Sequence, residues 1–293
     1  MVKNSLSWLL ENAGPIIWYR TATELLGESN HEKVGSLRKD LLSCSLVQSL
    51  LGNLQPNFST WALHGSKSVR RLETVYSFAK KADFNEIYVP QDSYQGFPKA
   101  FRDKPLLNPA LETDKGSMLP SIHDINAFLH SASLMDSVQL RSKVEKIVEF
   151  VLRPEYQKLY PGYGVVMISG KFYSAGWSVH LPGYFESDVG KTSPYQFAPH
   201  PDNSNHPSLL LRLSMMSHSK AARAHSWFNR MLSMLESFRI KDRIFTFPRN
   251  LLLEKEGYWV NGYRLGLEVD RRVKKAITCE STFRYHEIAK RNI

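Results

Sequence analysis

Residues 5–27 read SLSWLLENAGPIIWYRTATELLG, and this stretch sets the expectation for the fold. Asn4 or Ser5 can accept a hydrogen bond from a first-turn N–H, and Leu6, Leu9 and Leu10 then recur at helical spacing until Asn12–Gly14. Pro15 stands where a first helical turn tolerates a residue without an N–H. Ile16, Tyr19, Leu25 and Leu26 follow before the stop at Gly27. Two helices joined by a tight turn form a hairpin that must bury its apolar stripe against something else.

Working outward, a third helix is expected near Leu37–Leu51, ended by Gly52. The segment QPNFSTWALHG (55–65) is turn-rich and carries an isolated Trp61. Ser68–Ala82 is helical again, with Val69, Leu72, Val75, Phe78 and Ala79 on one side. Further helices are predicted at 125–133, 138–152, 207–217, 221–238 and 278–291. Seven prolines and glycines punctuate residues 83–124, and no helical period survives there, so this stretch reads as an irregular excursion. In YPGYGVVMISGKFYSAGWSVHLPGY (160–184), Val165–Ile168 and Lys171–Tyr173 could pair as a short hairpin turning at Ser169–Gly170. Helix pairs recur without alternating apolar strands, which predicts an all-α repeat architecture and a single domain over 1–293.

Composition narrows the function classes. The 293 residues are 42% hydrophobic, enough for a full core, and 12% aromatic, which hints at an aromatic-lined surface or cavity. The longest apolar runs are a few residues, such as Leu209–Leu211, too short for a membrane span, and no secretory leader is legible, so a cytoplasmic protein is expected. Cys44 and Cys279 lie far apart without CxxC spacing, which excludes a disulfide framework and a cysteine-built zinc site. The net charge of +10 is uneven. Residues 1–146 carry 17 basic against 15 acidic groups, and 147–293 carry 21 against 13. A basic C-terminal half suits an anionic partner such as nucleic acid or simply a solvated surface, and its one dense cluster is Arg271, Arg272, Lys274 and Lys275.

WLLENAGPIIWYRTATELLG (8–27) resembles the start of bacterial prenyltransferase or squalene-oxidase repeat proteins, members of the terpenoid-cyclase-like α/α-toroid group. The turn at Gln55–Trp61 looks like a worn form of that group's QW motif. WFNRMLSMLESFRIKDRIFTFP (227–248) looks like a second copy in which aromatics replace the tryptophan. GYWVNGYRLGLEVDRR (257–272) and ESTFRYHEI (280–288) are similar to the group's C-terminal signature. The resemblance implies an incomplete toroid of helical hairpins around a cavity that binds a small apolar or polyol-like ligand. The departures are equally informative. The chain contains no Asp–Asp pair, hence neither the DxDD acid of protonating cyclases nor the DDxxD site that holds Mg²⁺ for diphosphate ionisation. Neither cysteine stands in the D-x-C context of the protein prenyltransferases.

Three groups of residues could carry chemistry. His200, Asp202 and His206 in PHPDNSNHP could form an acid–base set or ligate a metal of unspecified identity, or could merely shape a polar loop. Trp177, His180 and Tyr184, near Tyr173 and among glycines, could line a cavity mouth or plug an irregular helix connection. Tyr258 and Trp259 offer the same choice. Arg212, on the apolar helix Leu209–Leu213, could pair with an acid, snorkel, or face a polar cavity. Glu280 and Arg284 are expected to pair at i,i+4. No GxSxG elbow, P-loop or GxGxxG is present. The function expected is thus a small-molecule cavity protein, with a non-enzymatic helical-repeat module that binds a protein or nucleic acid as the rival.

Overall fold

The computed structural model describes residues 2–52, 68–93, 96–113, 116–134, 137–160, 164–175, 179–185, 208–252, 266–268 and 270–290. The chain divides into two compact units. The first comprises Met1–Thr60, Asn205–Ser217 and Phe228–Ile293, and the second Trp61–Ser204 and His218–Trp227.

The first unit opens with α1 (Val2–Asn12) and α2 (Pro15–Arg20), as the opening stretch predicts. Pro15 takes the first helical position, and the Trp18 N–H reaches Gly14 O at 3.0 Å. Beyond Arg20 the helix widens into a π turn, Thr21–Leu25, closed by Leu26 N–H to Thr21 O at 2.9 Å, and it ends at Gly27 with φ +68°. Leu6, Leu9, Ala13, Ile17 and Leu25 bury against Cys279 and Phe283, with Trp8, Trp18 and Leu267 packed around them. The expected third helix splits in two, α3 (His31–Ser43) and α4 (Ser45–Gly52), because Cys44 adopts an extended conformation between them.

Helix α5 (Ser68–Ala79) belongs to the second unit, as do α6 (Ile122–Leu134), α7 (Val138–Val151) and α8 (Pro154–Gln157). Between α5 and α6 lie the short strands β1 (Tyr88–Val89), β2 (Leu106–Leu107), β3 (Glu112–Thr113) and β4 (Gly116–Ser117). After α8 come β5 (Gly164–Ile168) and β6 (Lys171–Ala175). The hairpin β5–β6 is the one the sequence suggests, and its turn places Ser169 and Gly170 at φ +49° and +76°, as a type I′ turn requires.

The sheet overturns the all-α expectation. The molecule is mostly helical, but β1, β2, β5 and β6 form a four-stranded mixed sheet in that order, and β3–β4 forms a separate pair. Strands β1 and β2 are antiparallel, and β2 pairs in parallel with β5 through Leu106 opposite Val165. The two strands recruited from the 83–124 excursion are two residues long, which is too short for any alternation to register in a sequence window. Their existence depends on a contact made in space. Val165 N–H donates to Pro105 O at 2.9 Å, and this approach requires glycine at 164. There φ is +110°, and an added Cβ would lie 2.1 Å from Pro105 O. Arg71 on α5 then pins the end of the excursion, pairing with Asp124 at 2.7 Å and donating to Leu119 O at 3.0 Å.

In the rest of the chain, α9 (Leu209–Met216) belongs to the first unit. The expected helix over 221–238 divides into α10 (Lys220–Ala224) and α11 (Ser226–Glu236). His225 makes the break, its Nδ1 accepting the Trp227 N–H at 3.2 Å. The hairpin β7 (Arg239–Lys241) and β8 (Ile244–Phe245) precedes the closing helix α12 (Lys274–Lys290), which starts four residues before its predicted onset. Helix α12 buries Thr278, Glu280, Ser281, Thr282, His286 and Glu287 together with its apolar residues. Its small hydroxyls act as a sheet partner for the passing chain. Phe245 N–H donates to Thr282 Oγ1 at 3.0 Å, Phe247 N–H donates to Ser281 Oγ at 2.9 Å, and the Thr246 and Thr278 hydroxyls meet at 2.8 Å. Among the described residues no helix is long and apolar enough to cross a membrane.

Candidate functional site

Six of the residues singled out from the sequence, Trp177, His200, Asp202, His206, Tyr258 and Trp259, lie outside the described residues. His180 and Tyr184 belong to the second unit and Arg212 to the first. His180 is buried in the segment 179–185, which is tied down on both sides. Gln157, fully buried, donates to Val151 O at 2.7 Å and Val179 O at 3.0 Å and accepts from Leu181 N–H at 2.9 Å. The Trp227 indole N–H donates to Pro182 O at 2.8 Å. Tyr184 donates its hydroxyl to Leu152 O and stacks on His225 with ring centres 5.6 Å apart. Tyr173 stands exposed on β6. In this cluster Tyr184 therefore braces a helix connection. Arg212 is half-buried on α9. Among the described residues no three His, Cys, Asp or Glu side chains are grouped so as to hold a metal ion.

The concentration of buried charge is elsewhere, where α12 meets α2 in the first unit. Glu280 has no exposed surface, yet its carboxylate is fully matched. Arg271 reaches it through Nε at 2.6 Å and Nη2 at 2.7 Å, and Arg284 through Nε at 2.8 Å. Leu267 N–H adds a fourth contact at 3.3 Å. Burial alone would push this carboxyl up, but the Arg284 and Arg271 guanidiniums outweigh it and hold Glu280 below the usual carboxylate range. The i,i+4 pair expected from the sequence is thus present, with Arg271 completing a fork on the same acid.

Glu268 is held in the opposite sense. It is half-buried, and burial, reinforced by the charge of Glu280, pushes its carboxyl up despite a 2.9 Å hydrogen bond from Gly14 N–H and the nearby Lys275. Glycine at 14 makes room for it, since an added Cβ would lie 2.7 Å from Glu268 Oε2. Cys279 is pushed up to about 12, first by burial and then by the charge of Glu268, so it stays a thiol. Around Gly14 the helix α2 and its π turn present Trp18 and Thr21 on the same face, four and seven residues on.

Two other titratable groups of the first unit, Arg20 on α2 and His286 on α12, are structural. Arg20 pairs with Glu24 at 2.7 Å and Glu287 at 2.7 Å while lying 4.7 Å over the Phe283 ring. His286 Nε2 stands 3.0 Å from Ser5 Oγ and 3.2 Å from Arg243 O. A carbonyl can only accept, so Nε2 carries the hydrogen and is no base toward Ser5. Burial holds this imidazole neutral, pushing it down to about 4.

Sequence reasoning missed this centre for identifiable reasons. Arg271 stands in the basic cluster 271–275 that reads as a surface patch, yet it spends its guanidinium on Glu280, and Arg272 pairs with Asp270 at 3.0 Å. Glu268 has Arg264, Arg271 and Arg272 at helical spacing, yet the hydrogen-bond donor the fold gives it is the Gly14 N–H, 254 residues away. No protein-family model, curated protein or solved structure matches this chain.

Proposed function

We infer that the chain binds a small molecule at the polar centre of its first unit and that Glu268 transfers protons there. One observation carries this reading: two neighbouring carboxyls, one half-buried and one fully buried, are driven apart in acidity, Glu268 upward by burial and Glu280 downward by two guanidiniums. Pushing two neighbouring carboxyls in opposite directions is how a protein separates a proton donor from a carboxylate that stays ionised. In this arrangement Glu268 hands its proton to an oxygen or carbon of the ligand and is left as a carboxylate solvated by Gly14 N–H. Glu280 fixes Arg271 and Arg284, and its charge adds to the burial that pushes the Glu268 carboxyl up. The segments that resemble the terpenoid-cyclase-like group, 8–27, 257–272 and 280–288, are the ones that contribute Gly14, Glu268, Arg271, Glu280 and Arg284, which supports a small-molecule ligand of the kind that resemblance implies.

The test is native mass spectrometry of the full chain after incubation with a fractionated metabolite extract. It is paired with liquid-chromatographic detection of any compound consumed. The expected result is a retained or consumed small molecule with wild type and its loss with Glu268→Gln. A chain that retains and consumes nothing, or a Glu268→Gln variant that behaves as wild type, overturns the reading. Steeply salt-dependent binding of a DNA or RNA oligonucleotide without any small-molecule signal would move the function to the basic C-terminal half instead.

A further inference from the structure

Buried polar side chains in a folded chain are almost always hydrogen-bonded, because an unmet donor or acceptor forfeits its hydration without compensation. Two groups on the face of α2 beside Glu268 depart from that rule. The Trp18 indole Nε1 and the Thr21 Oγ1 are buried atoms, Thr21 has no exposed surface, and neither makes a hydrogen bond among the described residues. Thr21 has an ordinary escape that it does not use. A helical threonine can turn its hydroxyl back onto the carbonyl four residues earlier, and Thr23 does so, donating to Tyr19 O at 2.8 Å. Thr21 leaves Ile17 O to its own backbone N–H. It also opens the π turn, an irregularity that costs regular helical bonding and that recurs at functional sites.

The placement of the two groups is specific. Gly14, Trp18 and Thr21 are spaced four and three residues apart, so they form one stripe along α2, and Glu268 occupies its upper end through the Gly14 N–H. Trp18 and Leu267, the neighbour of Glu268 in sequence, pack on the same apolar cluster around Cys279 and Phe283. Resting on the reading of Glu268 given above, we propose that Trp18 and Thr21 are the binding anchors of that site, and that its ligand is a small neutral molecule presenting a hydroxyl or carbonyl oxygen. The indole can only donate, the threonine hydroxyl can donate and accept, and the flanking surface is apolar. A ligand oxygen satisfies both groups, whereas a carboxylate or phosphate finds no cation along the stripe among the described residues, and an ammonium finds only Glu268, which the reading above uses as an acid and not as a counter-ion. The indole ring supplies an apolar face for the carbon skeleton of such a ligand.

The experiment uses the full chain and a fixed panel of probes: glycerol, myo-inositol, D-glucose and D-ribose, with succinate and spermidine as charged controls. The Trp18 indole N–H resonance is identified by its loss in Trp18→Phe and followed during titration. A neutral probe is expected to move it in a saturable way. Thr21→Val, which removes a hydroxyl and keeps the shape, is expected to weaken that probe at least tenfold by the same resonance, and Trp18→Phe, which removes the indole N–H and part of the ring, is expected to do so by isothermal titration calorimetry. Thr21→Val should do so with its Tm unchanged or raised, since valine removes an unmet hydroxyl. The proposal is overturned if no neutral probe moves the resonance, if only a charged control does, or if both variants bind as wild type. A Tm lowered by 5 °C or more in Thr21→Val also overturns it, because the hydroxyl would then be holding the fold. Small-molecule retention that depends on Glu268 but not on residues 18 and 21 removes this proposal and leaves the proton-transfer reading standing.

Discussion

Glu280→Gln isolates the electrostatic core of the first unit. The substitution keeps the shape of the side chain and one acceptor oxygen but removes the charge and turns an amide N–H₂ toward a guanidinium. Arg271 loses two charge-assisted bonds of 2.6 and 2.7 Å, and Arg284 loses one of 2.8 Å. Removing one partner of a buried ion pair typically costs about 3–5 kcal/mol, mostly because a charge is left buried without compensation. Both guanidiniums keep some solvent contact, with side-chain exposures of 17% and 14%, so the lower end applies. The expected loss is about 3 kcal/mol, roughly a hundredfold in the folding equilibrium. Spread over a unit of this size it corresponds to a fall of about 6–12 °C in the unfolding temperature. Scanning calorimetry of the full chain, with the transitions of the two units fitted separately, reads the change directly. The triple variant Glu280→Leu, Arg271→Met, Arg284→Met should recover most of the loss, because apolar side chains of similar volume carry no desolvation cost. A loss below about 1 kcal/mol in Glu280→Gln, or a triple variant as unstable as the single one, would refute the argument that the charges are mutually dependent.

The remaining predictions concern acid stability and the sheet. His286 titrates at about 4 in the fold, against about 6.5 for an unperturbed imidazole, so between those values the unfolded chain binds more protons than the folded one. The first unit should therefore lose stability as pH falls from 6.5 toward 4, by at most about 3 kcal/mol. His286→Gln should flatten that slope when urea midpoints are compared at pH 7.0, 5.5 and 4.5. Gly164→Ala drives a Cβ to 2.1 Å from Pro105 O at a φ of +110°. The β2–β5 pairing should open, with loss of amide exchange protection at Leu107 and Val165 and destabilisation of about 2 kcal/mol or more. Unchanged protection would mean that the sheet does not depend on this contact.

The parts of the fold that were legible share one property: their signal is local. The stripe Leu6–Leu9, Pro15 at a helix start, the Ser169–Gly170 turn and the pair Glu280–Arg284 all lie within a few residues of the partner that gives them meaning. The splits at Cys44 and His225 escaped because helical periodicity runs through both positions. A single extended residue interrupts it at each position, and at His225 the imidazole also caps the helix that follows. The candidate site escaped more completely. Polar and aromatic residues in loops often serve function, and on that ground the sequence points to the loop histidines, which lie outside the described residues, and to the glycine-flanked aromatics. Tyr184 instead spends its hydroxyl on a backbone carbonyl.

The sequence by itself determined the helices of both ends, the hairpin, the absence of known cyclase and prenyltransferase motifs, and a small-molecule expectation through resemblance. Only the tertiary structure decided that a sheet exists, since β1 and β2 are two residues each and are extended because Leu106 meets Val165. It also decided which carboxyl is raised by burial and which is lowered by its guanidinium partners. Arg271 looks like surface charge until Glu280 is placed beneath it, and Glu268 looks like any glutamate until Gly14, 254 residues distant, is brought against it. Acidity and pairing are set by burial and by neighbours within a few ångströms, and neither quantity is written along the chain.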